Sequence, residues 1–222
     1  MKNYKILFFL LITSVVFSQK LPEGFVYLSD VEQSIKSELR YLGSNNFIGK
    51  PIDGYHKNCV IMTKQAANAL KDIQLELLKS GYGLKIFDAY RPQQAVNHFV
   101  SWAKVLNDTL MKKQYYPNVK KSALFNSGYI ASKSGHTRGS TVDLTIVNNV
   151  SEEEVDMGSP YDFFGVESHP YHKDITEKQH ENRMLLRNIM LKYRFRPYEN
   201  EWWHFTLNNE PFPNTYFNFP VE

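Results

Sequence analysis

The chain has a single cysteine and little excess charge, and each of these features excludes a class of protein. One cysteine among 222 residues excludes an internal disulfide, so the fold depends on its core or on a metal. A formal net charge of +3 gives no reason to expect nucleic acid or an anionic membrane as a partner. Any metal must then be held mainly by histidines and carboxylates.

A long apolar run occurs only at the start of the chain. Lys2 and Lys5 precede an apolar stretch from Ile6 to Phe17, and Ser18 follows, which is the three-part pattern of a secretory signal peptide. The run is shorter than the roughly 20 residues of a membrane span. The sequence therefore predicts a signal peptide at residues 1–18, export to the periplasm and no stable membrane insertion. An uncleaved N-terminal anchor is the alternative.

Residues 19–222 remain after this cleavage, and they favour one domain. Loss of Lys2 and Lys5 lowers the formal net charge from +3 to +1. No low-complexity tract or long linker divides the segment, and its length allows a sizeable core. The sequence does not indicate the oligomeric state.

The periodicity of the chain predicts an α+β fold. Thr63 can cap a helix in which Ala67, Leu70 and Leu77 recur at helical spacing, and Gly81 ends it before the strand LKIFD. QQAVNHFVSWAKVL predicts a second helix, and TEKQHENRMLLRNIMLKYRF, which opens with a capping box, predicts a third. GSTVDLTIV and EWWHFTL alternate as strands do. Helices packed on an antiparallel or mixed sheet follow from this order.

Two pairs of residues that include histidine have weak claims to chemistry. His169 and His172 lie in a polar loop, where an ordinary surface role is the simpler explanation. His180 and Glu181 begin a zincin-like helix motif, but Met184 stands where that motif requires its second histidine. The zincin interpretation is therefore excluded.

His136 and Asp143 form a stronger candidate pair in SGHTRGSTVDLT. Small and polar residues surround His136, so the backbone can bend there and expose the imidazole. Seven positions along a regular strand would put the two residues on opposite faces. They converge only if His136 lies in a bend before the strand, which Gly139 allows. A histidine in an ordinary loop is the alternative.

The motif EWWHF supplies the other candidate pair, Glu201 and His204. Two adjacent tryptophans could form a dry, rigid wall around these polar groups, or a strand of core aromatics with Glu201 at its exposed end. On a flat strand the two residues would face opposite ways, so a joint role requires a twist, a bulge or contact through water.

Together these residues predict a mononuclear zinc site. His136, Asp143 and His204 supply three ligands and leave a fourth position for water. Glu201, close to a ligand but not needed as one, is the natural general base. Arg91 in FDAYRPQQ could stabilise the oxyanion formed in peptide hydrolysis, and its alternative role is a structural ion pair with Asp88.

Several longer stretches resemble one family, the vancomycin-resistance-type D-alanyl-D-alanine dipeptidases, which are zinc peptidases related to bacterial D,D-carboxypeptidases. The resemblance covers nearly all of residues 19–222. It is carried, in order, by NNFIGKPIDGY, GYGLKIFDAYRPQQAVNHF, YYPNV, GYIASKSGHTRGSTVDLT, MGSPYDFF, EWWHF and EPFPNTYFNFP. It implies the hedgehog/D,D-peptidase α+β fold and hydrolysis of the free dipeptide D-Ala-D-Ala to two D-alanines.

The resemblance also implies a role for each candidate residue. It implies one zinc ion per chain on His136, Asp143 and His204, with Glu201 as the catalytic base and Arg91 as the oxyanion donor.

The same resemblance implies where the two ends of the substrate bind. The ammonium is expected near Asp143, Asp162 and the main chain of Tyr41, and the carboxylate near Ser134 and Tyr55. Capture of both charged ends in a closed pocket would reject longer peptides, because a buried charge without a partner is costly.

Two features depart from the family pattern. Gly135 replaces a serine expected beside the zinc histidine, which affects the loop but removes no ligand. The predicted signal peptide is the second departure, because resistance dipeptidases act on newly made D-Ala-D-Ala in the cytoplasm. Salvage or turnover of wall-derived dipeptide is then favoured over vancomycin resistance.

Two other functions are compatible with parts of the sequence. An exported zinc D,D-carboxypeptidase or endopeptidase acting on peptidoglycan stem peptides would use the same zinc chemistry, but it would need an open groove in place of a pocket closed by Asp162, Tyr41 and Tyr55. A zinc-stabilised binding module would need neither Glu201 nor Arg91.

Overall fold

Residues 20–222 form seven strands and four helices in this computed structural model, and the predicted signal peptide at residues 1–18 lies outside the described part. The strands are β1 (Phe25–Tyr27), β2 (Lys36–Ser37), β3 (Ile61–Thr63), β4 (Tyr82–Asp88), β5 (Thr141–Asn148), β6 (Phe195–Tyr198) and β7 (Glu201–Leu207). The helices are α1 (Lys64–Leu78), α2 (Gln93–Lys104), α3 (Lys112–Tyr115) and α4 (Glu177–Lys192).

Five of the strands form one mixed sheet in the order β2-β4-β5-β7-β6. Only β2 and β4 are parallel, and every other neighbouring pair is antiparallel. β1 and β3 pair separately as a short antiparallel ribbon. Helix α1 packs on β4, and α4 packs on β6 and β7. The predicted α+β class, with helices on a mainly antiparallel sheet, is confirmed.

Local signals fix both ends of α1 and the start of α4. The Thr63 hydroxyl accepts a hydrogen bond from Ala66 N, and Gly81 follows the helix with φ +78°. Thr176 and Gln179 form the predicted capping box at the start of α4. Every helix among residues 20–222 is too short or too polar to span a membrane.

Helix α2 ends earlier than its apolar pattern indicated. The pattern continued through Leu106, but the helix ends at Lys104. Val105 and Leu106 are 50% and 58% exposed. Another helical turn here would bury little apolar surface, so packing would not stabilise it.

Strand β5 is the most deeply buried strand of the sheet. Val142, Leu144 and Ile146 are fully covered, as the alternating pattern predicted. The opposite face is also enclosed, since Asp143 is only 2% exposed. The polar face of this strand therefore looks into the interior of the protein, where its side chains meet other residues and little solvent.

Residues 210–222 run back over the molecule after β7. Phe217 N donates to Thr137 O at 3.0 Å, and Gln93 N donates to Phe217 O at 3.1 Å. Val221 N donates to Gly54 O at 2.8 Å. This C-terminal tail therefore ties the turn before β5 to the start of α2.

Candidate active site and metal centre

Two neighbouring strands place Asp143 and His204 side by side. The residues are directly paired in the antiparallel register of β5 and β7. Side chains at opposed positions of such a pair lie on the same face. His204 Nδ1 is 3.0 Å from Asp143 Oδ1.

His136 reaches this pair from the bend that its spacing required. It lies in a short 3-10 turn, Gly135–Arg138, which ends at Gly139 with φ +81°. A Cβ at Gly139 would also lie 2.3 Å from a ring carbon of Phe25, so both conformation and space demand glycine there. His136 Nε2 is 3.2 Å from Asp143 Oδ1 and 3.3 Å from His204 Nδ1.

The three ligand atoms fit a tetrahedral ion. At zinc–ligand distances of about 2.0–2.1 Å, two ligand atoms of a tetrahedral site are roughly 3.3–3.4 Å apart. The separations here run from 3.0 Å to 3.3 Å. Asp143 Oδ1 is buried and accepts no well-directed hydrogen bond from either imidazole, although both are close. Asp143 Oδ1 and the two nitrogens lie close enough together to hold one metal ion.

Surrounding groups leave these atoms available for a metal. His136 Nδ1 lies 2.8 Å from Ala89 O and donates to it, which leaves the Nε2 lone pair unprotonated. Tyr161 Oη and Arg91 Nη2 donate to Asp143 Oδ2 at 3.2 and 3.4 Å, so Oδ1 keeps its free lone pairs. Burial opposes ionisation of Asp143, but the neighbouring imidazoles hold its pKa well below the usual range. Asp143 therefore carries a negative charge.

Glu201 lies at the first position of β7 and borders the same cluster. Its Oε2 atom is 3.4 Å from His204 Nδ1. The register between β6 and β7 shifts between Pro197 and Tyr198, so β7 is not a regular strand here and residues three apart can face one way. Burial raises the pKa of Glu201 to about 7, against the opposing effect of His204. A carboxyl group with that pKa can both take and return a proton near neutral pH.

Arg91 enters the site from the turn after β4. Its Nε donates to Asp88 Oδ2 at 2.8 Å, while Asp88 Oδ1 accepts from the Tyr55 hydroxyl at 2.6 Å. The ion pair with Asp88 is therefore present. It uses Nε of Arg91, while Nη2 reaches Asp143 in the candidate site. Tyr55, predicted near the substrate carboxylate, contacts Asp88 and does not line this cavity.

A cavity of about 310 Å³ joins these groups. The predicted residues His136, Asp143, His204, Glu201, Arg91, Asp162, Tyr41 and Ser134 line it. Trp203, one of the two tryptophans predicted to wall the polar groups, also lines it. Aromatic and basic residues that sequence reasoning missed complete the lining, namely Phe47, Phe99, Tyr129, Phe164, Tyr198 and Lys133. Such aromatic positions give no local signal, because an aromatic residue in a core strand or loop looks the same in sequence.

Asp162 is a buried carboxyl group without a cationic partner within 4 Å among residues 20–222. It is 5% exposed and has φ +61°, a left-handed conformation that is uncommon outside glycine. Tyr41 Oη lies 3.0 Å from one of its oxygens and donates to it. Burial, followed by the charge of Asp143, raises its pKa well above the usual range. A cation entering the cavity would meet a buried carboxyl group that has no other cationic partner within 4 Å among residues 20–222.

Tyr161 connects Asp162 to the ligand cluster. Its hydroxyl lies 3.1 Å from that of Tyr41 as well as within reach of Asp143. The stretch MGSPYDFF carries part of the family resemblance, but the sequence predicted no role for Tyr161. Its position beside Asp162 was the one available signal.

Ser134 marks the edge of the cavity at the start of the turn that carries His136. Its hydroxyl accepts from His136 N at 3.3 Å. At the next position, a Cβ on Gly135 would lie 2.7 Å from Thr141 Oγ1. The absence of a side chain at Gly135 therefore lets the turn pack closely against β5.

Comparisons with known proteins agree on one family. A family model described as D-ala-D-ala dipeptidase, of peptidase family M15, matches residues 22–222. A D-alanyl-D-alanine dipeptidase of Enterococcus faecalis is 43% identical over 90% of this chain and all of its own length. Proteins of the same name are 41% identical in Enterococcus faecium and 39% identical in Streptomyces coelicolor, over 90% and 89% of this chain and 98% of each relative.

Proposed function

The chain belongs to the D-ala-D-ala dipeptidase family of M15 peptidases, and from that membership we propose that it hydrolyses the free dipeptide D-Ala-D-Ala to two D-alanines. One observation carries the proposal. A single cavity holds a metal-type cluster, a carboxyl group suited to base catalysis and a buried carboxyl group that lacks a cation. These are the parts needed to bind a short peptide by its amino end and to cleave it.

The proposed cofactor is one zinc ion per chain, held by His136, Asp143 and His204. Zinc at this position would supply a Lewis acid that polarises the peptide carbonyl and lowers the pKa of a bound water. The donor set and the separations of its atoms support this choice.

Glu201 would carry the proton during hydrolysis. As the oxygen of water adds to the peptide carbonyl carbon, the Glu201 carboxylate takes a proton from that water. When the C–N bond breaks, Glu201 returns the proton to the departing amine. Its pKa of about 7 supports both transfers near neutral pH.

Arg91 would stabilise the negative charge that develops on the carbonyl oxygen. Because Asp88 holds Nε at 2.8 Å, the guanidinium is oriented before substrate arrives. A preorganised donor of this kind needs no rearrangement in the transition state.

Asp162 would bind the substrate ammonium. The free carboxyl group is buried and its pKa is raised, so an ammonium group restores its charged form and gains a charge-assisted hydrogen bond. The rings of Phe47, Phe99 and Phe164 line the same cavity and favour the small apolar part of a dipeptide.

We further propose that the protein is exported and acts on dipeptide released from the cell wall. The support is the basic and apolar pattern of residues 1–18. An exported enzyme meets wall-derived dipeptide and not the newly made cytoplasmic pool.

The test is release of free D-alanine by purified, zinc-loaded residues 19–222. One reaction contains D-Ala-D-Ala, a second contains a stem peptide that ends in D-Ala-D-Ala, and a third contains L-Ala-L-Ala. We expect product from the first reaction alone. Cleavage of the stem peptide would contradict the proposal and favour a D,D-carboxypeptidase. The Glu201→Ala protein is the control for contaminating peptidases.

A further inference from the structure

Arg183 on α4 is a buried cation that the proposed chemistry does not use. Its side chain is 1% exposed, and within residues 20–222 no carboxylate oxygen lies within 4 Å of its guanidinium nitrogens. Burial lowers its pKa to about 10. Burial of a charge without a counter-ion is costly, so its hydrogen bonds must offset the lost hydration.

All of these hydrogen bonds go to one segment, residues 157–169. Arg183 Nε donates to Met157 O at 2.6 Å, and Nη1 donates to His169 O at 2.7 Å. Nη2 donates to Glu167 O at 2.9 Å and to Ser159 Oγ at 3.3 Å. One guanidinium therefore holds both ends of the segment.

The segment has little regular structure of its own. A single 3-10 turn at Val166–Ser168 is its only element. Its carbonyl groups therefore need partners from elsewhere, and Arg183 supplies three of them.

This segment places Asp162 in the cavity wall and Tyr161 beside Asp143. Asp162 is held with φ +61°, a conformation that surrounding contacts must maintain. Tyr161 meets Asp143 at 3.2 Å. A shift of the segment would therefore move the buried carboxyl group proposed to bind the substrate ammonium.

A second contact joins the segment to the strand of the proposed general base. Ser159 Oγ accepts from Trp202 Nε1 at 3.0 Å as well as from Arg183. Trp202 directly follows Glu201 on β7. The position of the segment is thus fixed relative to the catalytic strand as well as to α4.

We propose that Arg183 is a positioning residue that sets the affinity of the ammonium subsite by anchoring residues 157–169. This inference rests on the proposed function, because it assigns Asp162 to the substrate ammonium. Lysine does not replace arginine at this position, since a single ammonium cannot span the four acceptors that the planar guanidinium reaches.

The test compares Arg183→Lys and Arg183→Met with a matched control. Arg187 lies one turn later on the same helix, with its guanidinium over the Tyr171 ring at 5.2 Å, and Arg187→Met is the control. We expect KM for D-Ala-D-Ala to rise about tenfold or more in both Arg183 variants, the range of a lost hydrogen bond to a charged group, while kcat changes less than about threefold. The control should keep both parameters.

Two measurements without turnover accompany the kinetics. Amide hydrogen exchange in residues 157–169 should accelerate in the Arg183 variants and not in the control, and bound zinc should stay at the wild-type level. If the wild-type protein does not cleave D-Ala-D-Ala, the proposed function fails, and exchange still decides whether Arg183 anchors the segment. Unchanged exchange, an unchanged KM, or unfolding of both variants while the control folds would overturn the positioning role.

Discussion

Glu201 and His204 lie on one strand, and their removal should separate chemistry from metal binding. Glu201→Ala should keep the fold and the zinc but lower kcat by roughly 10²–10⁴-fold, because the group that carries the proton is gone. His204→Ala should lose both zinc and activity, because two protein ligands remain. Zinc content by atomic absorption and D-alanine release are measured on the same preparations.

The same pair of variants can contradict the mechanism. Full activity in Glu201→Ala with zinc retained would exclude Glu201 as the base. Full zinc content in His204→Ala would remove this histidine from the ligand set.

At the scale of residues, sequence predicted the polar groups and missed their supports. His136 and Asp143 stand out because small and polar residues surround the histidine, and Glu201 and His204 because they flank two adjacent tryptophans. Tyr161 gives no such signal, since a tyrosine in a loop is ordinary. Its role depends on the 3.2 Å contact with Asp143, which only the fold creates.

Among the elements, the turn before β5 needs glycine at position 139 both for its left-handed conformation and for the space beside Phe25. Gly81 shares only the conformation, so it separates the two effects. Gly139 and Gly81 have φ +81° and +78°, but a Cβ at Gly81 meets nothing within 4 Å. Gly81→Ala should cost about 1–2 kcal/mol for the left-handed conformation alone. Gly139→Ala should cost roughly 1–3 kcal/mol more, because the ring of Phe25 must move.

Urea denaturation of the two variants measures this difference in unfolding free energy. The Gly139 variant should also bind zinc more weakly, since its turn carries His136. Equal stability of the two variants would show that the Phe25 contact imposes no constraint.

Elements with local signals were predictable, and elements that depend on distant partners were not. Thr63 predicts the start of α1, and the Thr176–Gln179 capping box predicts the start of α4. Strands β1 and β3 have three residues each and exist because they pair with one another. Nothing in three residues encodes a partner more than thirty positions away.

For the molecule as a whole, zinc should bind the native state and therefore stabilise it. The three proposed ligands come from a turn and two strands that meet only in the folded chain. Zinc at 100 times its dissociation constant should add about 2.7 kcal/mol to the free energy of unfolding. Thermal unfolding measured after chelation and again after zinc is restored checks this expectation.

The ligand variants provide the control for that measurement. Glu201→Ala should keep the zinc-dependent rise in Tm, and His204→Ala should lose it. An identical Tm with and without zinc in the wild-type protein would contradict the proposed site.

The overall class was predictable because it depends on element order, while the assembled cavity was not. The alternation in β5 placed Asp143 on a polar face, but its pairing with His204 depends on the register between β5 and β7. That register depends on packing across the whole sheet and has no counterpart in either strand alone.

The hydrogen bond from Phe217 N to Thr137 O bears on the order in which the protein is made. The ribosome adds His136 and Asp143 well before His204. It adds Phe217, whose amide binds the His136 turn, later still. A fragment that stops after Leu207 keeps all three predicted ligands and loses that fastening. The shortest piece of this chain able to hold the proposed ion firmly should therefore be longer than the stretch that contains its predicted ligands.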